Sequence, residues 1–249
     1  MVFLPRMLLR GDLKGFKPAS LLFYALFGLI AVTGTYSFYA LSLSLLPSGE
    51  AAALLYTAPA FVILGGRILH REPVTRAKVL ALLSVFAGSL LVVKIYEPSS
   101  LRFDAAGIAF GVLSGVCYAS LTLFGRQGLK RHGADLNASL PAIFGAAFFL
   151  FARPPGSIAV PDLSTAALFA GIALFGSVLP YLLYMKGLER GVDGGTASIA
   201  ANIEPAIAAL VGVALFADRL EVPQVLGILL ILTGASLPFQ SRKGRNAPV

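Results

Sequence analysis

Apolar residues in this chain fill long runs, such as Leu21–Leu46 and Val79–Val93, that are too continuous for a helix with one wet face. Such runs satisfy their backbone hydrogen bonds within lipid only as spanning helices. The strict alternation that a β-barrel strand requires is absent. The pattern predicts eight spans, over 21–43, 49–69, 77–95, 105–125, 136–152, 164–186, 195–216 and 222–240. The fifth is short and broken by Pro141. The expected fold is therefore an all-α polytopic membrane protein of about eight spans.

The apolar runs also repeat. Residues 45–92 and 191–238 coincide at an offset of 146, which sets Ala51 on Ala197, Pro59 on Pro205, Gly66 on Gly212, Glu72 on Asp218 and Gly88 on Gly234. Each copy is an Ala-rich run with a proline inside it, a charged break, and a second run. Tyr36 and Tyr39 precede the first copy, and Tyr181 and Tyr184 precede the second at an offset of 145. An odd number of predicted spans separates the copies, so the second is inverted relative to the first. Inverted-topology repeats are the mark of secondary transporters, whose substrate sites lie where the repeats meet.

Charge agrees with that topology. Only 13% of the 249 residues are charged and 57% are apolar, against about 25% charged in a soluble domain. The net charge of +8 sits in short breaks between runs and not on one face, which excludes a nucleic-acid-binding domain. Sixteen Lys and Arg fall on one predicted side: Arg6, Arg10, Lys14, Lys17, Arg67, Arg71, Arg76, Lys78, Arg126, Lys130, Arg131, Lys186, Arg190, Arg242, Lys243 and Arg245. Lys94, Arg102, Arg153 and Arg219 fall on the other. This bias predicts a cell (inner or plasma) membrane protein with both termini in the cytoplasm. Cys117 is the single cysteine, and His70 and His132 are isolated, so neither a disulfide framework nor a metal site is expected. The chain carries no nucleotide-binding loop and no nucleophile–base pair, so neither a cofactor nor an enzyme activity is expected.

Two stretches carry a family resemblance. Gly187-Leu-Glu-Arg-Gly-Val-Asp-Gly-Gly-Thr-Ala-Ser-Ile-Ala-Ala-Asn-Ile-Glu-Pro-Ala-Ile-Ala-Ala-Leu, followed by Ala217-Asp-Arg-Leu, resembles the EamA-type transporters of the drug/metabolite transporter superfamily. Ala51-Ala-Ala-Leu-Leu-Tyr-Thr-Ala-Pro-Ala-Phe with Arg71-Glu-Pro is its weaker partner. The resemblance covers residues 21–240. It implies a cytoplasmic segment over 1–20, a three-span repeat over 21–95, a five-span repeat over 105–240, and a cytoplasmic tail over 241–249. Family members usually have two five-span repeats, so by that comparison the first two spans are lacking. Either the protein has eight spans, or its start has been lost or mis-assigned. The Ala217-Asp218 break also departs from the more usual Gly-Glu.

The resemblance implies export of a small organic metabolite, such as an amino acid or related compound, by alternating access. The alternative is a membrane subunit or scaffold that needs a partner chain to complete its cavity. Expected partners are a small-molecule substrate and the bilayer, with a homo-oligomer or partner subunit in the second case.

Candidate site residues follow from position. Glu204 is the one carboxylate predicted near the middle of a span, where a charge is costly unless it meets a cavity or a partner, and it is the candidate for proton coupling. Pro59 and Pro205 each remove a helical hydrogen bond and are candidate hinges. Tyr56 and Asn202 precede those prolines by three residues, and Ser198 continues the Asn202 face. With Tyr36, Tyr39, Tyr118 and Tyr181 they form the candidate substrate lining, although tyrosines near span ends also serve as interface anchors. Gly107, Gly111 and Gly115 predict close helix packing, as do Gly88 and Gly234.

Overall fold

The computed structural model describes residues 18–97, 101–152 and 162–243, and every regular element among them is helical. The stretch 1–17, with its four basic residues, and Arg153 lie outside the described residues, as does 244–249 of the predicted tail. Among the described residues, seven helical stretches are long and apolar enough to cross a membrane. The predicted span over 77–95 is also a helix, Arg76–Val92, but has 17 residues. At 1.5 Å per residue it is about 25 Å long, near the lower limit for a span.

In chain order the helices are α1 (Pro18–Phe27), α2 (Thr35–Leu45), α3 (Ser48–Leu55), α4 (Ala58–Leu69), α5 (Arg76–Val92) and α6 (Ala105–Leu129). They continue as α7 (Ala134–Ala152), α8 (Leu163–Ala173), α9 (Leu179–Glu189), α10 (Gly194–Ala201), α11 (Glu204–Phe216) and α12 (Val222–Lys243). Wider π-helical turns, Gly28–Gly34 and Leu174–Val178, join α1 to α2 and α8 to α9. Their first residues are again 146 apart. Pro141 does not break the fifth span. Helix α7 runs through it without interruption and packs closely there: a Cβ on Gly28 would stand 2.6 Å from the Pro141 carbonyl.

The chain forms two compact units. One holds residues up to Gly34 and Phe124–Val192. Its interior joins an aromatic and polar cluster to buried aliphatic residues such as Leu136, Leu182 and Met185. The Tyr24 hydroxyl, fully buried, donates to Asn137 Oδ1 at 3.2 Å, and Asn137 Nδ2 donates to the carbonyls of His132 and Gly133. These bonds cap the turn between α6 and α7, while Phe23, Phe27 and Phe124 pack edge-on around it.

The other unit holds Thr35–Leu123 and everything from Asp193 onward. Its axis is the pair α5 and α12. Lipid offers no hydrophobic force between spans, so close backbone approach must supply the contact. Gly88 and Gly227 supply it: a Cβ on Gly88 would stand 2.5 Å from the Gly227 carbonyl, and one on Gly227 would stand 2.6 Å from that of Gly88. Where they cross, Ser84 Oγ donates to the Leu230 carbonyl at 2.9 Å, a bond between residues 146 apart. A two-fold rotation that maps residue i onto i+146 can join such a pair only near its own axis. Helices α10 and α11 lie along this pair, with Ile199 buried against Val85 and Ala235, and Ala206 against Val92 and Ile231.

Candidate functional site

The spans predicted over 49–69 and 195–216 are each two helices, not one. Helix α3 ends at Leu55 and α4 begins at Ala58; α10 ends at Ala201 and α11 begins at Glu204. The two breaks share one backbone. Thr57 and Ile203 both have φ −72° and ψ −14°, and the turn bonds Thr57 N–Leu54 O and Ala60 N–Thr57 O recur as Ile203 N–Ala200 O and Ala206 N–Ile203 O.

This geometry corrects the expectation that the prolines remove a bond from within a helix. Pro59 and Pro205 stand in the first turn of α4 and α11, where an N–H has no helical partner to lose. They start the second half-helix and do not kink a continuous one.

The two breaks meet. Asn202 Nδ2 donates to the backbone carbonyl of Tyr56 at 3.2 Å, a second bond between residues 146 apart. Irregular backbone at membrane depth survives only where protein or a polar space satisfies it, and here the second break, through Asn202, helps to satisfy the first. Helix α6 closes against the same place. Its Gly115 lies where a Cβ would stand 2.9 Å from Thr57 Oγ1, and Tyr118 and Ala119 pack on Ala58 and Val62. The glycine stripe of α6 is thus a packing surface, since Gly107 and Gly111 face Leu46, Ser42 and Leu54 in the same way.

Around this crossing lie most of the predicted site residues. Asn202 and Ser198 are buried, Tyr39, Tyr56 and Tyr118 are half-buried, and Tyr36 is exposed. Glu204 opens α11 with an exposed side chain, where the positive end of the half-helix favours a carboxylate. Tyr39, Tyr56 and Tyr118 all lie near the Glu204 carboxyl, and Tyr36 lies near Tyr118. Tyr181 belongs to the other unit and sits half-buried on α9.

A charged cluster at one end of the second unit went unnoticed in the sequence. Glu72 is 7% exposed and accepts from the amides of Gly194 at 3.1 Å and Gly195 at 3.5 Å. Lys78, also buried, pairs with Asp193 at 2.7 Å and donates to the Pro73 carbonyl. Asp193 caps α10 through the Thr196 amide and hydroxyl. Burial alone would raise its pKa, but the bonds from Lys78 and Thr196 outweigh that and hold the carboxyl below its ordinary range. The available signal was the pairing of Glu72 with Asp218, which marked both breaks as acidic without showing that one is buried.

Comparison with known proteins decides the family. The model of the EamA-like transporter family matches residues 1–94 and 105–239. The chain belongs to the EamA-like transporter family. An uncharacterized inner membrane transporter, YicL of Salmonella typhimurium, is 26% identical over 94% of this chain and 78% of its own length. The threonine/homoserine exporter RhtA of the same species is 29% identical over 86% of this chain and 69% of its own length. A crystal structure 19% identical in sequence superposes with a TM-score of 0.78 over 99% of this chain and 85% of that one, which shows a shared fold. This EamA protein is therefore a multi-pass membrane protein of a transporter family.

Proposed function

We propose that this protein exports a small amino acid or a related metabolite across the cell membrane by alternating access, with both termini in the cytoplasm. The observation that carries the reading is the bond between Asn202 and Tyr56, which joins two broken helices on the repeat axis. Half-helix ends at that depth present uncommitted backbone dipoles to a solute, and repeat-related elements rocking about the axis expose it to each side in turn. Tyr39, Tyr56 and Tyr118 offer aromatic faces and hydroxyls beside the Glu204 carboxyl, with Tyr36 next to Tyr118, a set suited to a substrate with an ammonium group and a modest side chain. The name of RhtA supports an amino-acid substrate and the outward direction. The basic breaks at Arg67–Lys78 and Arg126–Arg131 support a cytoplasmic assignment for that side.

Glu204 is the group through which proton coupling would run. The test is uptake of labelled threonine, homoserine and a panel of other amino acids into inverted vesicles, with and without a pH gradient. Gradient-driven uptake that Glu204→Gln loses, with the variant still folded, supports the reading. Coupling unchanged in Glu204→Gln removes the carboxylate from the mechanism, and transport of nothing in the panel removes the substrate class.

A further inference from the structure

The repeat symmetry assigns every residue of one copy a counterpart in the other, so a bond present in one copy and missing from the other marks a departure from symmetry. The most pronounced one lies at the ends of the broken helices. In the first copy α4 ends at the left-handed residue Arg71 (φ 54°), and in the second α11 ends at the left-handed Ala217 (φ 56°). Both turns close with the same bond, Glu72 N to Gly66 O and Asp218 N to Gly212 O. The carboxylates that follow are thus presented by turns that share a left-handed residue and a closing bond.

Their environments differ. Glu72 is buried and grips the first two amides of α10, Gly194 and Gly195. Asp218 is exposed and its side chain makes no hydrogen bond or ion pair among the described residues. The counterparts of Gly194 and Gly195 are Ser48 and Gly49, the first residues of α3, a helix whose N-terminus has no side-chain cap. One carboxylate is therefore docked on the opposite repeat, while among the described residues its twin has no such bond and the twin's counterpart donors, the Ser48 and Gly49 amides, receive no side-chain cap.

We infer that Glu72 and Asp218 are the two halves of an exchanging latch. In the conformation described here, Glu72 ties α4 to the start of α10 at the end of the unit bearing Arg67, Arg71, Arg76 and Lys78. In the alternate conformation that bond opens, and Asp218 docks on the Ser48 and Gly49 amides at the opposite end. A carboxylate at a helix start meets both free amides and the positive end of the dipole, so each closed state is electrostatically satisfied. The two latches are unequal. Lys78 and Asp193 reinforce the first, whereas their counterparts are Gln224 and Pro47, which cannot form an ion pair. The resting population consequently lies on the Glu72 side.

This inference rests on the alternating-access reading above, but its test does not require a substrate. In a Cys117→Ala background, the pair Ser48→Cys and Ala217→Cys is placed where the alternate latch closes. Thiol oxidation in the membrane should cross-link this pair weakly in the otherwise unchanged protein. Glu72→Gln, or Lys78→Gln if Glu72→Gln folds poorly, should raise the cross-linked fraction at least threefold. Asp218→Asn, which alters an exposed side chain and leaves the described fold intact, should lower it. Cross-linking indifferent to Glu72→Gln, Lys78→Gln and Asp218→Asn overturns the latch even if transport is intact. The expected changes in a protein that transports no solute leave the latch standing and remove the transport reading instead.

Discussion

The side-chain amide of Asn202 reaches across the repeat axis to the backbone carbonyl of Tyr56, its own counterpart 146 residues earlier. The bond is one-sided, because Tyr56 has no side-chain amide with which to answer the Asn202 carbonyl. It fixes the two helix breaks against each other.

Removing that bond leaves a carbonyl in the break without its side-chain donor. Asn202→Ala should cost about 0.5–1.5 kcal/mol, seen as a lower unfolding temperature in detergent. Asn202→Gln, which keeps the amide on a longer arm, should recover part of it. Equal stability for all three proteins would mean that the contact contributes nothing.

The crossing of α5 and α12 tolerates no added atoms. Gly88→Ala and Gly227→Ala each place a methyl group about 2.5 Å from a backbone oxygen on the other helix, and each should destabilise by about 1–3 kcal/mol. The paired variant should lose less than the sum, since one separation of the helices relieves both clashes. Strict additivity in thermal unfolding would contradict the shared contact.

The Lys78–Asp193 pair makes a pH-dependent contribution. The pKa of Asp193 is depressed in the folded protein, so its stabilisation is complete above the ordinary carboxylate pKa and is lost as pH falls through the depressed value. Lys78→Met should therefore cost about 1.5–3 kcal/mol at pH 7, with the gap to the unaltered protein closing below about pH 4. A gap that is constant from pH 7 to pH 3 would show that the ion pair is not its source.

Ala217 holds a left-handed conformation that suits glycine better than any residue with a Cβ. Ala217→Gly should stabilise the protein by about 0.5–1 kcal/mol. A fall in unfolding temperature for this variant would indicate that the Ala217 methyl group makes a contact worth more than the strain.

The apolar runs and the offset of 146 were enough to read an all-helical membrane protein with inverted repeats, because lipid leaves a run such as Leu21–Leu46 one way to satisfy its backbone. The same offset proved to govern details that no composition shows: the paired π-helical turns, the identical breaks and the left-handed residues Arg71 and Ala217. The breaks themselves were misread. A proline inside an apolar run signals either a kink or the first turn of a new helix, and only the turn at Tyr56–Thr57 distinguishes them. Tyr56, Tyr118, Asn202 and Glu204 could be proposed together because spacing put each near a proline or on a small-residue face. The buried Glu72 and its grip on Gly194 and Gly195 could not, since that burial comes from contacts more than 120 residues away in the chain.

The central claim is that the paired breaks form a path for a solute, and its most direct measurement is transport by the purified protein in proteoliposomes. We expect labelled small amino acids to exchange across the bilayer with the unaltered protein, and exchange to fall at least tenfold in Asn202→Leu while the fold and the oligomeric state are retained. Equal exchange by Asn202→Leu, or none by the folded unaltered protein, would contradict it.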